Sequence, residues 1–367
     1  RKNMIKTVII GFAHMHVNEV ALYIDGQPHT ELVGIADVKP KMPEDTEKRY
    51  TRAWNLKNVA ELSGATVYED YTKMLDEVKP DWAYILCENY MKPAVAEEVA
   101  KRGVNVVVEK PMAADLAGAE KICAMPQKYG VEVAVNWPVA WRPYLAEMKA
   151  ALDKKVCGDI IKLRYINGHT GPLGKGAKHR GVTATAEEMT DAERERIWWY
   201  QKDCGGGAFL DILCYGCYFT RWIFGRMPLS IAAMGINLAT PYCDAEDNTA
   251  AIFRYENAMS TAEGTWTIPR RIVPAGPQVL CSEGAVWCAG GADAGQHIEA
   301  CTLSGEDVAI DAPEFPDSMK NMPWHIAAHV MDGAPLFETL TPAFNLEVMK
   351  MLDAAVRSDK ERREISL

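Results

Sequence analysis

The sequence predicts an α/β chain: a doubly wound parallel sheet over residues 1–135, then an α+β domain with an open, mostly antiparallel mixed sheet over residues 136–367. Three observations carry this. Strand and helix patterns alternate as far as Val135, and the strands are nearly continuous apolar runs, as in a sheet covered by helices on both faces. After Asn136 the grammar changes to longer alternating strands joined by short turns. The length, 367 residues, suits two domains at roughly 100–200 residues each.

Taken in order, Thr7–Ile10 is a β-branched run ending at Gly11, and Glu19–Ile24 belongs to the helix after it. Glu31–Asp37 is the next strand, and the Lys- and Glu-rich stretch from Lys39 to Asn58 contains a helix. Tyr71–Val78 is a helix stopped by Pro80, Trp82–Cys87 a buried strand, and Pro93–Arg102 a helix capped by Gly103. Val104–Glu109 is a strand, Asp115–Tyr129 a helix ended by Gly130, and Val131–Val135 a further strand. In the second domain Tyr144–Leu152 is a helix, Asp159–Gly168 a long strand and Phe209–Phe224 a helix. β-Rich runs follow at Ile231–Leu238, Thr249–Tyr255, Met259–Trp266, Gln278–Cys281, Ala285–Cys288 and His297–Thr302, before a helix at Ala343–Arg357. An open sheet of this kind buries its outer face against another subunit, so a homo-oligomer is expected through it.

Composition narrows the partners. Forty basic against 50 acidic residues leave a formal charge of −10, which argues against nucleic acid or an anionic membrane. No apolar stretch is long enough for a membrane span, and the first residues run directly into a strand without a leader pattern. The ten cysteines are scattered through apolar runs, which fits buried thiols in a reducing cytoplasm. Cys214 and Cys217 have ligand-like spacing, but no second pair or nearby histidine cluster completes a metal site, and no metal is expected.

The first strand–helix turn reads Gly11-Phe12-Ala13-His14-Met15-His16. A dinucleotide fingerprint places glycines at the first, third and sixth of these positions, and only Gly11 is present. Asp37, ending the second strand, strengthens the reading, because a carboxylate there accepts ribose hydroxyls and repels a 2′-phosphate. NAD is favoured over NADP, with Lys39 and Lys41 nearby. His14 and His16, two apart at a helix start, do not share a face and are expected to line the cofactor mouth without ligating a metal. Glu109-Lys110-Pro111 closes a strand at the edge where α/β sheets bind ligands; partial desolvation there would lower the lysine's pKa towards proton transfer.

Glu109-Lys110-Pro111, with Gly205-Gly206-Gly207-Ala208-Phe209-Leu210-Asp211, resembles the Gfo/Idh/MocA oxidoreductases, the relatives of glucose–fructose oxidoreductase and inositol dehydrogenase. Gly158-Asp159-Ile160, Glu246-Asp247-Asn248-Thr249, Glu263-Gly264-Thr265-Trp266 and Asn345–Ser358 extend the likeness over nearly the whole chain. The resemblance implies a Rossmann domain, a mixed-sheet domain, a nicotinamide cofactor between them and hydride transfer with a carbohydrate or polyol. It implies that Lys110 is catalytic, that Asp211 orients the substrate and that Asn89 belongs to the cofactor loop. Three places beyond Asn89, where many members have His, stands Lys92. Many members also carry Asp-x-x-x-His on the substrate-domain helix, and the histidine is their acid–base group. Here that position is Tyr215.

Three readings stay open: Tyr215 with Lys110 moves the proton, His169 or His179 has taken over, or oxidation is lost. The candidate cofactor-binding residues are then Gly11 to His16, Asp37, Asn89, Glu109, Lys110 and Trp137. The candidate substrate-binding residues are Lys110, Trp141, His169, His179, Trp199, Asp211 and Tyr215. Ten tryptophans against eight phenylalanines, several of them flanking the expected crevice, point to a sugar or glycoside pocket, since flat rings pack on sugar C–H faces. The segment 171–195 is expected to be a mobile lid. The expected activity is NAD-dependent oxidation of a secondary hydroxyl of a sugar, glycoside or cyclic polyol, carbon 3 of a glycoside included. The alternatives are redox-neutral glycoside processing with retained NAD, and a sugar-sensing regulator on the same fold.

Overall fold

The computed structural model describes residues 4–291 and 295–367. The first sheet comprises β1 (Ile5–Ile10), β2 (Thr30–Ala36), β3 (Thr66–Tyr68), β4 (Trp82–Ile85), β5 (Asn105–Glu109) and β6 (Val133–Asn136). They run in the order β3-β2-β1-β4-β5-β6, and every pair is parallel. The order reverses beside β1, and ligands bind at such a switch point beyond the carboxyl ends of the strands. Gly11 sits there with φ +89°, and a Cβ on it would lie 2.5 Å from the Cys87 backbone nitrogen, so only glycine closes this turn.

The second sheet comprises β7 (Ile160–Gly168), β8 (Ser230–Ile236), β9 (Asn248–Arg254), β10 (Met259–Thr265), β11 (Gln278–Cys281), β12 (Gly284–Ala289), β13 (His297–Thr302) and β14 (Ile365–Ser366). Its order is β13-β12-β11-β7-β10-β9-β8-β14, antiparallel throughout except for the β7–β10 pair. Strand alternation separates its faces. Leu163, Tyr165, Ala251, Phe253, Ala262 and Val279 point inward and are buried, beneath helices that include Cys214–Phe224 and Pro342–Glu361. Across the register the opposite face carries exposed Met234, Ile252 and Leu280.

The two halves share more than a junction. The terminal helix Pro342–Glu361 packs on the helix Leu116–Cys123, and the helix Met322–Asp332, which has no counterpart among the sequence expectations, reaches Val17–Asp25. The expected lid forms a strap over the first domain. Tyr50 Oη donates to Ala184 O at 2.6 Å, Lys48 pairs with Glu193 at 2.8 Å, and Arg196 pairs with Asp45 at 2.6 Å.

Candidate active site

An inner cavity of about 170 Å³ opens at the carboxyl edge of the parallel sheet, lined by His14, His16, Lys110, His169, Asp211 and Tyr215 among others. Lys110 reaches it from the end of β5. Its Nζ donates to the Asp211 carbonyl at 2.8 Å and lies 3.3 Å from Asp211 Oδ1 and 4.6 Å from the centre of the Tyr215 ring. The sequence Phe209–Leu213 winds as a π-helix before the α-helix Cys214–Phe224, and it carries Asp211. Such widened turns recur at functional sites. Asp211 Oδ2 accepts Trp266 Nε1 at 2.8 Å, from the residue after β10, and faces His169 Nε2 at 3.5 Å, from the residue after β7. His169 Nδ1 is buried without a partner among the described residues.

The electrostatics follow from burial and these contacts. Burial works against the Asp211 carboxylate, but Lys110 and the bonds from His169 and Trp266 hold it well below the carboxylate range. Burial also opposes the Lys110 ammonium, yet Tyr215 and Asp211 more than offset it and keep the proton on. This corrects the expected lowering of the lysine: desolvation is present, but the opposite charge beside it wins. Burial raises the Tyr215 phenol, and Lys110 cancels only part of that. His179 lines the cavity too, but its Nε2 meets Pro172 O at 2.7 Å, and burial lowers its pKa to about 3.

At the cofactor end, Asp37 Oδ1 accepts the Phe12 and Val38 backbone N–H groups at 3.0 and 2.8 Å and Arg52 Nη1 at 2.6 Å. All three fall on one oxygen, so Oδ2 is left for a ribose hydroxyl. Arg52 also grips the buried Glu88; neither was singled out in the sequence, where nothing ties them to Asp37. Glu109 Oε1 meets His16 Nδ1 at 2.9 Å, and its Oε2 accepts Asn136 Nδ2 at 2.9 Å. The Gly11 turn, the Asp37 oxygen and the helix N-terminus at Val17 fit a dinucleotide. Met15, buried, completes the cavity wall there, while Ala13 O receives Trp198 Nε1 at 2.9 Å.

His14 and His16 both precede the helix, which starts at Val17, so helix geometry does not separate them as expected. Their ring centres lie 4.2 Å apart, and with Glu109 they place donor atoms within 4.8 Å of one another. His14 Nδ1 accepts the His16 N–H at 3.2 Å, which assigns the proton to Nε2, buried and without a partner among the described residues. That nitrogen is a hydrogen-bond donor in this tautomer.

Four further expected features have other surroundings in the structure. Trp137 is wholly buried, donates from Nε1 to Asn345 Oδ1 at 2.7 Å and packs on Tyr215 and Tyr218. Asn89 is also buried, with Nδ2 on Gly205 O at 2.7 Å and Oδ1 accepting Lys92 Nζ at 2.8 Å, so its polar atoms serve the protein. Trp141 bonds Asn136 Oδ1 at 3.3 Å and borders neither the inner cavity nor the outer one beside it. The tryptophan surplus mostly fills the core: of Trp137, Trp141, Trp198 and Trp199, only Trp199 lines the inner cavity, stacked on Trp198 at 3.9 Å. Lys92, wholly buried, also donates to Glu109 O and Pro111 O at 2.6 and 2.8 Å, which fixes the turn that aims Lys110.

Residues 5–137 match the model of an oxidoreductase family with an NAD-binding Rossmann fold, and residues 145–286 the Gfo/Idh/MocA C-terminal domain. Trans-1,2-dihydrobenzene-1,2-diol dehydrogenase of Xenopus tropicalis is 25% identical over 169 residues, 46% of this chain and 44% of that protein. The chain thus spans less than half the length of this curated relative. Aldose–aldose oxidoreductase from Caulobacter crescentus, complexed with glycerol, superposes with TM-score 0.75 at 18% identity, covering 99% of this chain and 100% of that one. The WlbA dehydrogenase from Bordetella pertussis, in complex with NADH and UDP-GlcNAcA, gives 0.72 at 20%, covering 99% of each. At such identities the likeness is one of fold. With both domain models matched in order, the chain belongs to the Gfo/Idh/MocA family of NAD-binding Rossmann oxidoreductases.

Proposed function

We propose that the chain oxidises a secondary hydroxyl of a sugar, glycoside or cyclic polyol, with NAD preferred over NADP. The observation that carries this is the Lys110–Asp211–His169 cluster on the wall of the inner cavity, beside the Gly11–His16 turn. When bound, NAD supplies the hydride acceptor for the carbinol carbon. Lys110, kept charged, holds the substrate oxygen and stabilises the developing alkoxide. Asp211 orients both Lys110 and the imidazole of His169. The hydroxyl proton passes to His169, because Lys110 and Tyr215 keep their own protons at neutral pH and His179 is too weak a base. The free Asp37 oxygen and the negative pair Asp37–Glu88 favour NAD. The apolar outer face of the second sheet supports a homo-oligomer.

The test is the purified protein with NAD and a panel of glycosides and cyclic polyols, read for NADH and for product two hydrogens lighter. One substrate class should give both signals, and a glycoside product should be examined for oxidation at carbon 3. Lys110→Ala should abolish turnover and leave NAD affinity within a few fold. His169→Asn should lower kcat by about 100-fold, more than Tyr215→Phe does. A product formed with no net oxidation and no NADH accumulation would reveal a retained, recycled cofactor, and binding without any product would overturn the oxidation.

A further inference from the structure

Beside the inner cavity lies an outer one, also of about 170 Å³, and the two share Asn167, Tyr215 and Arg270. The outer wall includes Arg142, and among the described residues no carboxylate lines it. Arg142 is half-buried, and its guanidinium makes no hydrogen bond or ion pair with the described residues. Its charged neighbours do not supply the missing partner. Arg180 adds a like charge, and Glu19, the nearby acid, is already taken by Arg180 at 3.5 Å and by Tyr23 Oη. Burial, followed by Arg180, works against the Arg142 charge.

The inner cavity repeats the pattern. Lys110 and four histidines line it, and its one acid, Asp211, is engaged by Lys110, His169 and Trp266. Among the described residues, a chain of net charge −10 thus lines two adjoining cavities with cationic and neutral groups and a single carboxylate that is already paired. A partly desolvated guanidinium without a counter-ion is costly, and an incoming anion removes the cost. Its planar fork suits a carboxylate or phosphate, and a cleft of one sign concentrates ligands of the other.

We propose that the outer cavity is a subsite for an anionic group, carboxylate or phosphate, on the substrate whose hydroxyl reacts in the inner cavity, with Arg142 as its principal ligand. The inference rests on the oxidation proposed above, and it makes the substrate an acidic sugar, glycoside or polyol.

Matched probes test it on the NAD-loaded protein: methyl glucuronide against methyl glucoside, and glucose 6-phosphate against glucose. Binding is measured by calorimetry with NADH present, and turnover by NADH formation with NAD. The anionic member of at least one pair should bind about 10-fold or more tightly than its neutral twin, and added salt should erode that preference. The preferred pair tells carboxylate from phosphate. Arg142→Met should erase the preference and Arg142→Lys keep part of it, while Arg357→Met, a charge control on the terminal helix, should leave it intact. Equal or better binding of the neutral twins, a preference that survives Arg142→Met, or no binding in either pair overturns the subsite. Arg142-dependent binding without turnover would sink the oxidation and leave the subsite standing. Turnover of neutral sugars without preference would do the reverse.

Discussion

The Asp211–Lys110 pair gives the sharpest stability test of the site. Asp211→Asn keeps the shape and removes the charge, leaving a lysine that is 2% exposed beside a neutral amide. At 3.3 Å the Coulomb attraction is about 5 kcal/mol at an effective dielectric of about 20. Breaking a buried pair by removing one member costs about 3–5 kcal/mol, because the other charge is stranded. Asp211→Asn should therefore lose about 3–5 kcal/mol of unfolding free energy, measured by urea denaturation at pH 7.5. Lys110→Met in the same chain removes the stranded ammonium, so the double variant should recover at least about 2 kcal/mol of that loss. Both variants should lack turnover, which separates stability from chemistry. A double variant less stable than Asp211→Asn alone would refute the reasoning, since Lys110 would then be stabilised by something other than this carboxylate.

Three other outcomes follow from the same geometry. His14 and His179 are held neutral, with folded pKa values below the unfolded 6.5, so the unfolded chain binds more protons and stability falls as pH drops below about 6.5. Between pH 7.5 and 5.0 each contributes up to about 2 kcal/mol of loss, and His14→Gln with His179→Asn should flatten the urea midpoint against pH. Asp37→Ser removes the acceptor at the end of β2 and frees Arg52, so the ratio of kcat/KM for NAD to that for NADP should fall by about 10-fold or more, read by initial rates. Met234→Glu with Ile252→Glu places charge on the outer face of the second sheet, and light scattering should report a smaller assembly with unchanged circular dichroism.

What the sequence disclosed and what it hid divide along physical lines. Apolar runs that end in Gly11, Asp37 and Glu109-Lys110 were legible because buried parallel strands leave long, unbroken signals, and their carboxyl ends are where ligands bind. The contacts of Trp137, Trp141 and Asn89 were hidden because an indole or amide beyond a strand end gives no sign of the side on which it lands. For Trp137 a hydrogen bond to Asn345, from the far end of the chain, decided it. Arg52 and Glu88 were missed for the same reason, since Arg52 bridges Asp37 and Glu88 only after β2 and β4 flank β1. The direction of the Lys110 shift was beyond reach while its distance to Asp211 was unknown: burial and pairing act oppositely, and only geometry ranks them.

The substitution of Tyr215 for the usual histidine also changes how the site is wired. With acid and base on one helix, a single rigid element sets their spacing. Here the imidazole facing Asp211 comes from the end of β7, two residues before the strap begins at Gly171. That strap is fastened to the first domain at Tyr50, which donates to Ala184 O and accepts the His179 N–H at 3.3 Å. Tyr50 immediately precedes Thr51 and Arg52, the residues that open the helix Arg52–Ser63 beside Asp37. The cofactor end and His169 are thus linked by two chain segments hydrogen-bonded to each other at Tyr50, so a disturbance at Asp37 has a covalent and hydrogen-bonded route to His169. A histidine on the substrate-domain helix would instead sit on Cys214–Phe224, which packs against β7, β10 and the terminal helix.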